Sequence, residues 1–338
     1  MIVVLKAGVA PAEEKAVIEE IERLGYRAHV MHGVSRTVIG AIGDENTHAS
    51  LESLNAWPQV ENVTPVQKRY KLVSREAHPE DSHFRVGKDT IVGGREIIIM
   101  AGPCSVESEK QLMVTAERVA AAGAKVLRGG AFKPRTSPYE FQGLGEQGLK
   151  LLAKAREATG LAVITELLSE DHVNMVAEYT DIIQIGARNA QNFQLLVAAA
   201  KTGKPILLKR GLSMKIEEWL LAAEYILAHG NRQVMLCERG IRTFETYTRN
   251  TLDLAAVPIA KKESHLPVVI DPSQGGGRAD LVGALCKGAI AMGADSLLIE
   301  VHPNPKEAWS DAAQQLSLDG FEKLMKELKP LIAAVGRV

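Results

Sequence analysis

Arg128, Lys133 and Arg135 fall within eleven residues of this 338-residue chain, interleaved with Pro134, Thr136, Ser137 and Pro138. Guanidinium and ammonium groups on a loop stiffened by prolines suit the grip of phosphate or carboxylate oxygens. A solvated basic loop has the same composition, so this stretch alone does not decide. The pattern recurs, however. Apolar runs along the chain end in Gly102-Pro103-Cys104, in Glu166, in Gly186-Ala187-Arg188-Asn189 and in Lys209-Arg210-Gly211. Others end in Cys237-Glu238-Arg239-Gly240, in Asp271-Pro272-Ser273-Gln274 and in Glu300-Val301-His302.

The elements that position these residues alternate. Short apolar strands are predicted at 97–100, 125–127, 162–165, 182–185, 206–208, 234–236, 268–270 and 296–299. Helical periodicity follows each one, at 108–122, 146–159, 170–179, 190–202, 216–229, 251–257, 280–292 and 320–335. Eight such units point to a closed (β/α)8 TIM barrel, with an open doubly wound sheet as the second choice. A barrel builds its site at the carboxyl ends of its strands, which is where the charge gathers. One mouth lined by Arg128, Lys133, Arg135, Arg188, Lys209 and Arg239 is expected. Those cations would repel one another without a multiply charged anion, so the ligand should combine phosphate with carboxylate, or be two phosphorylated molecules. Glu166, Glu238 and Asp271 are available to pair with some of them.

Ahead of the barrel, residues 1–66 read as β-α-β-β-α-β, the order of a ferredoxin-like domain. Its strands are predicted at 2–5, 27–31, 37–42 and 60–66, with a turn at Gly33, and its helices at 12–24 and 47–54. His29 and His32 could touch a ligand, but they form no catalytic constellation. Residues 67–94 read as a linker and short hairpin, and residues 95–338 as the barrel.

Composition narrows the function classes. Lys plus Arg number 40 against 41 Asp plus Glu, which leaves no electrostatic footprint for nucleic acid. No apolar stretch is long enough to span a membrane. Cys104, Cys237 and Cys286 are too few for a disulfide framework, and the opening apolar run stops at Lys6, so a cytoplasmic protein without a signal peptide is expected.

The motifs GPCSVES, KVLRGGAFKPRTSPYEFQGLG, IIQIGARNAQNF, LLKRG, LCERGIRTFE, VIDPSQGGGRADLV and IEVHPNP together resemble the 3-deoxy-D-arabino-heptulosonate 7-phosphate (DAHP) synthase family. The likeness is to the short form with an N-terminal ferredoxin-like regulatory domain, and it covers nearly the whole chain. It implies condensation of phosphoenolpyruvate with erythrose 4-phosphate and water, the entry step of aromatic amino acid biosynthesis. It also implies phosphoenolpyruvate contacts at Arg128, Lys133, Arg188, Lys209 and Arg239, and erythrose 4-phosphate contacts at Lys133, Pro134, Arg135 and Thr136, with Ser137 adjacent. Lys133 would relay a proton or steady charge, or equally serve as a plain anion anchor, while Glu166, Glu238 and Asp271 would activate water or orient Lys133 and the metal ligands.

The same resemblance implies one divalent metal, Mn, Zn, Co or Fe, on Cys104, Glu300 and Asp311. The family's fourth ligand is a histidine, and this chain has Gln274 there, so loose metal binding, preference for an oxygen-loving ion, recruitment of His302 as a substitute or supporting group, or metal-free chemistry are all options. Cys104 taken alone reads more readily as a buried structural thiol, and its strand-end position with the matching carboxylates favours a ligand instead. A tyrosine or phenylalanine effector and a homotetramer are further implications, with residues 27–31 as the place to look for the effector. The alternative is a sister enzyme that takes arabinose 5-phosphate to make 3-deoxy-D-manno-octulosonate 8-phosphate. A Schiff-base aldolase and a catalytically idle scaffold are the remaining rivals.

Overall fold

The computed structural model describes residues 1–32, 36–43, 50–64, 68–135 and 137–338, in two compact units, Met1–Arg69 and Tyr70–Val338. In the first unit, strands β1 (Ile2–Leu5), β2 (Arg27–His32), β3 (Thr37–Ile42) and β4 (Val60–Thr64) form an antiparallel sheet in the order β2-β3-β1-β4. Alternation sends Val3, Leu5, Ile39 and Ala41 to one face. Helix α1 (Pro11–Arg23) covers that face with Val17 and Ile21. Proline suits the first turn of α1, where no N–H bond is lost, and the Glu13 carboxylate accepts from the Ala10 N–H at 3.1 Å.

The second predicted helix differs. Residues 47–49 and the turn at Gly33 lie outside the described residues, as do Pro65 and Val66. The rest of the predicted helix is a single 3-10 stretch, Leu51–Ala56, that buries Leu51 and Leu54. Ser50 Oγ caps it by accepting from the Glu52 N–H.

In the second unit a two-stranded hairpin, β5 (Phe84–Val86) and β6 (Thr90–Val92), precedes eight parallel strands. These are β7 (Ile98–Gly102), β8 (Val126–Arg128), β9 (Ala162–Leu167), β10 (Ile182–Ile185), β11 (Ile206–Lys209), β12 (Val234–Glu238), β13 (Val268–Ile270) and β14 (Ser296–Glu300). They close into a barrel in chain order, with β14 pairing back onto β7. The surrounding helices are α2 (Glu109–Ala121), α3 (Glu146–Thr159), α4 (Val173–Tyr179), α5 (Phe193–Lys201), α6 (Ile216–Ala228), α7 (Ala256–Glu263), α8 (Pro272–Gly276), α9 (Ala279–Ala291) and α10 (Leu318–Ala334).

The two-residue period of a strand sorts the core into two layers. Ile99, Val163, Ile183, Leu208, Leu236 and Ile270 face the helices, in one cluster with Trp219 and Leu328. Their neighbours Ile98, Val126, Ile164, Leu207, Met235, Val269 and Leu298 fill the barrel axis. Val86 and Val92 of the hairpin join that inner cluster and close the amino-terminal end. A Cβ on Gly87 would come within 2.9 Å of Ala162 Cβ, so the hairpin sits directly on the start of β9.

One helix is displaced from its predicted span. The pattern predicts residues 251–257 and stops at Pro258, whereas α7 begins at Ala256. Proline is tolerated in a helix's first turn, and Asp253 Oδ1 caps the helix by accepting from the Ala256 N–H at 3.2 Å. Thr251 instead bonds both ways with Ile241, closing the loop that leaves β12. Among the described residues no helix is long and apolar enough to cross a membrane.

Candidate active site

Continuing the inward alternation by one more step gives the floor of the site. Above the apolar axis the inward positions are Gly102, Arg128, Glu166, Gln184, Lys209, Arg239, Asp271 and Glu300, one from each strand end. Arg128, Lys209, Arg239, Asp271 and Glu300 are all buried. Most of this layer is paired. Arg128 Nη1 lies 2.9 Å from Glu300 Oε1, Lys209 Nζ lies 2.6 Å from Asp271 Oδ2, and Gln184 Nε2 donates to Glu166 Oε2 at 3.2 Å. Burial pushes the Asp271 pKa up, but the Lys209 charge and the Gln274 N–H outweigh it and hold the carboxyl below its usual range.

Two glycines make the layer fit. A Cβ on Gly102 would lie 2.1 Å from the Arg128 carbonyl oxygen, and one on Gly186 would lie 1.9 Å from Glu166 Oε1. Neither position accepts a side chain without displacing a charged neighbour.

Arg239 is the exception to the pairing. It is buried, yet no described carboxylate lies within ion-pair distance. Its partners are the Gln274 Oε1 amide oxygen at 3.1 Å and the Gly240 carbonyl at 3.5 Å, and its Nε has none. Burial accordingly holds its pKa below that of an ordinary guanidinium. A buried cation held only by neutral acceptors is poised for an anionic ligand.

Over this floor opens a cavity of about 310 Å³, lined by seven cationic side chains against three carboxylates. Lys133, Arg135, Arg188, Lys209 and Arg239 line it, as the sequence predicted, with Pro134 and Glu166. Arg135 pairs with Glu140 at 2.9 Å. Two cations were missed, Arg242 and Arg249, both on the loop after β12.

Several predicted residues stand elsewhere. Arg128 is beneath the cavity rather than on its wall, because Glu300 and the Pro103 carbonyl hold its Nη1. Glu238 faces outward, since the strand alternation that sends Arg239 inward sends its neighbour to the helices. There its carboxylate meets Arg210 at 2.8 Å. Ser137 does not reach the cavity lining, and Thr136 lies outside the described residues.

Cys104, Glu300 and Asp311 do converge, with their ligand atoms within 4.8 Å of one another. Each already has a cation: Lys133 Nζ is 3.1 Å from Cys104 Sγ, Arg128 meets Glu300, and Arg249 Nη1 is 3.0 Å from Asp311 Oδ2. Gln314 Nε2 bridges the two carboxylates, at 2.7 Å from Glu300 and 3.2 Å from Asp311. These bonds hold Asp311 at φ +47°, the one left-handed non-glycine among the described residues. Burial, with Glu300 adding to it, pushes the Cys104 thiol up to about 11. One sulfur and two carboxylate donors fit a divalent transition ion.

His302 stands outside that cluster. Both His302 ring nitrogens have partners, with Nε2 at 3.2 Å from Glu107 Oε2 and Nδ1 accepting from the Asn304 N–H at 3.1 Å. Gln274 turns its amide oxygen to Arg239 and Lys209.

Comparison with known proteins shows the family. The profile of the DAHP synthetase I family matches residues 73–334, and that of the DAHP synthase ferredoxin-like domain matches residues 1–68. The phospho-2-dehydro-3-deoxyheptonate aldolase of Thermotoga maritima is 53% identical over 336 residues, 99% of both chains. A 2-dehydro-3-deoxyphosphooctonate aldolase of Geobacter sp. is 32% identical over 270 residues, 75% of this chain and 98% of its own. The crystal structure of the Thermotoga maritima DAHP synthase superposes with a TM-score of 0.95 at 52% identity, covering 99% of this chain and 98% of the other. The chain belongs to the DAHP synthetase I family.

Proposed function

We propose that the protein is a DAHP synthase: it condenses phosphoenolpyruvate with erythrose 4-phosphate and water to give 3-deoxy-D-arabino-heptulosonate 7-phosphate and inorganic phosphate. The observation that carries this reading is the buried, carboxylate-free Arg239 at the base of a cavity with seven cations. Phosphoenolpyruvate brings roughly three negative charges and erythrose 4-phosphate roughly two, which such a cavity can neutralise.

In this reading Arg188, Lys209 and Arg239 hold phosphoenolpyruvate, with Arg128 supporting the floor below. Pro134 and Arg135 face the aldose phosphate, together with Thr136 and Ser137 as the family resemblance implies. Water adds at C2 of phosphoenolpyruvate as C3 attacks the aldehyde carbon. The aldehyde oxygen gains a proton, and the C2 adduct collapses by C–O cleavage with loss of phosphate. Lys133, between the two anion sites, donates to that oxygen. Glu166, in the cavity wall, takes the proton from water, and Asp271 fixes Lys209. Cys104, Glu300 and Asp311 would hold a divalent ion, which when bound polarises the aldehyde. The contribution of the chain itself is positioning and charge stabilisation.

The free, buried state of Cys104, Cys237 and Cys286 supports a cytoplasmic enzyme. The ferredoxin-like unit supports control by tyrosine or phenylalanine and assembly as a homotetramer. The experiment is phosphate release from phosphoenolpyruvate with erythrose 4-phosphate or arabinose 5-phosphate, with EDTA and then with Mn²⁺, Zn²⁺, Co²⁺ or Fe²⁺. Turnover with the four-carbon sugar is expected. Turnover with the pentose alone would replace this reading by that of the octulosonate enzyme.

A further inference from the structure

We infer that Gln274 is a positioning residue of the phosphoenolpyruvate site, an anion-site anchor rather than a donor to the Cys104, Glu300 and Asp311 cluster. The inference rests on the proposed function and deepens it. The backbone of Gln274 is fixed from two sides: its N–H donates to Asp271 Oδ1 at 2.9 Å, and its carbonyl accepts from Asn250 Nδ2 at 2.8 Å. With the main chain pinned, the side chain projects between two strand ends. Its Oε1 accepts from Arg239 Nη2 at 3.1 Å and from Lys209 Nζ at 3.4 Å.

One neutral oxygen therefore sets the spacing of two cations that would otherwise repel each other. The choice of an amide has a physical logic. A carboxylate here would orient both cations equally well but cancel the charge that the anion needs. An apolar side chain would leave Arg239 with only the distant Gly240 carbonyl. The amide fixes direction and leaves charge unspent. It also holds one edge of the Arg239 guanidinium while Nε stays without a partner.

The test is calorimetric binding to the full-length protein, with phosphoenolpyruvate in EDTA and separately with Co²⁺ alone. It compares the wild type with Gln274→Met, which keeps the length and loses the acceptor, and Gln274→Glu, which keeps the acceptor and adds charge. Loss of a hydrogen bond to a charged group predicts phosphoenolpyruvate binding about tenfold weaker in Gln274→Met. Cancelled site charge predicts roughly a hundredfold weakening in Gln274→Glu. Co²⁺ affinity of Gln274→Met should stay within about twofold of wild type, and the KM for erythrose 4-phosphate should not move.

Unchanged phosphoenolpyruvate binding in Gln274→Met overturns the inference, as does a loss of Co²⁺ affinity equal to or larger than the loss of phosphoenolpyruvate affinity. Should Gln274→Met fail to fold, Gln274→Glu decides alone, and wild-type affinity in it is equally fatal. A wild type that binds no phosphoenolpyruvate strikes at the proposed function itself and removes this inference with it.

Discussion

Arg210 and Arg239 are both buried, both follow barrel strands, and differ in every other respect. Arg210 faces the helices, where Glu238 and Asp253 lie 2.8 and 2.9 Å from Nη1 and the Met214 carbonyl accepts from Nε. Burial works against its charge, but those partners raise its pKa above the ordinary value. Arg239 faces the axis and has only neutral acceptors, so burial lowers its pKa. Charge in the outer belt is satisfied by the protein and belongs to the fold. At the inner mouth Lys209 and Arg128 are paired too, but Arg239 is left for a ligand and belongs to function.

Arg239→Met is expected to lower kcat/KM for phosphoenolpyruvate by roughly a thousandfold, the scale of losing one side of a desolvated charge pair. Its unfolding free energy should stay the same or rise, because an uncompensated cation has left the interior. Steady-state kinetics and urea unfolding on the one variant check both halves.

Arg210→Met should do the reverse. It strands the fully buried Glu238 carboxylate and is expected to destabilise the barrel by about 3–5 kcal/mol. The KM of the remaining folded enzyme should change little. A variant that unfolds at the wild-type urea concentration but has lost phosphoenolpyruvate affinity would erase the distinction between belt and mouth.

A smaller effect sharpens the structural side. His265 is buried and bonded to Ser82 Oγ at 2.7 Å and the Leu72 carbonyl at 2.8 Å. Burial lowers its pKa from 6.5, and the nearby charges of His78, Arg75 and Arg232 add to that. The unfolded chain therefore binds more protons than the folded one below the ordinary histidine pKa. Stability is full above that pKa and is lost as pH falls below it. Unfolding free energies at acid and neutral pH should show the loss in wild type and a flatter profile in His265→Gln.

Much of this was legible in the sequence because apolar runs that end in charge mark barrel strands and their open end together. The eight barrel strands and the convergence of Lys133, Arg135, Arg188, Lys209 and Arg239 rest on that signal. Grouping whole strand ends hid a finer one. The two-residue alternation separates Lys209 from Arg210 and Arg239 from Glu238, and applying it would have moved Glu238 out of the mouth. Depth was not legible: Arg128 lies on the inward face, but only its pairing with Glu300 reveals that it is floor and not wall. Arg242 and Arg249 sit farther along the loop after β12, beyond the strand end itself. The contact of His302 with Glu107 joins two different strand ends, which spacing along the chain does not reveal.

The most direct test of an inner charge layer awaiting anions is the unfolding of the full-length protein with and without phosphoenolpyruvate in EDTA. A ligand that fills the mouth at a hundred times its dissociation constant should add about 2.7 kcal/mol to the stability of the barrel. Arg239→Met should lose most of that gain while keeping its ligand-free stability. No gain in the wild type, or an equal gain in the variant, would contradict the account.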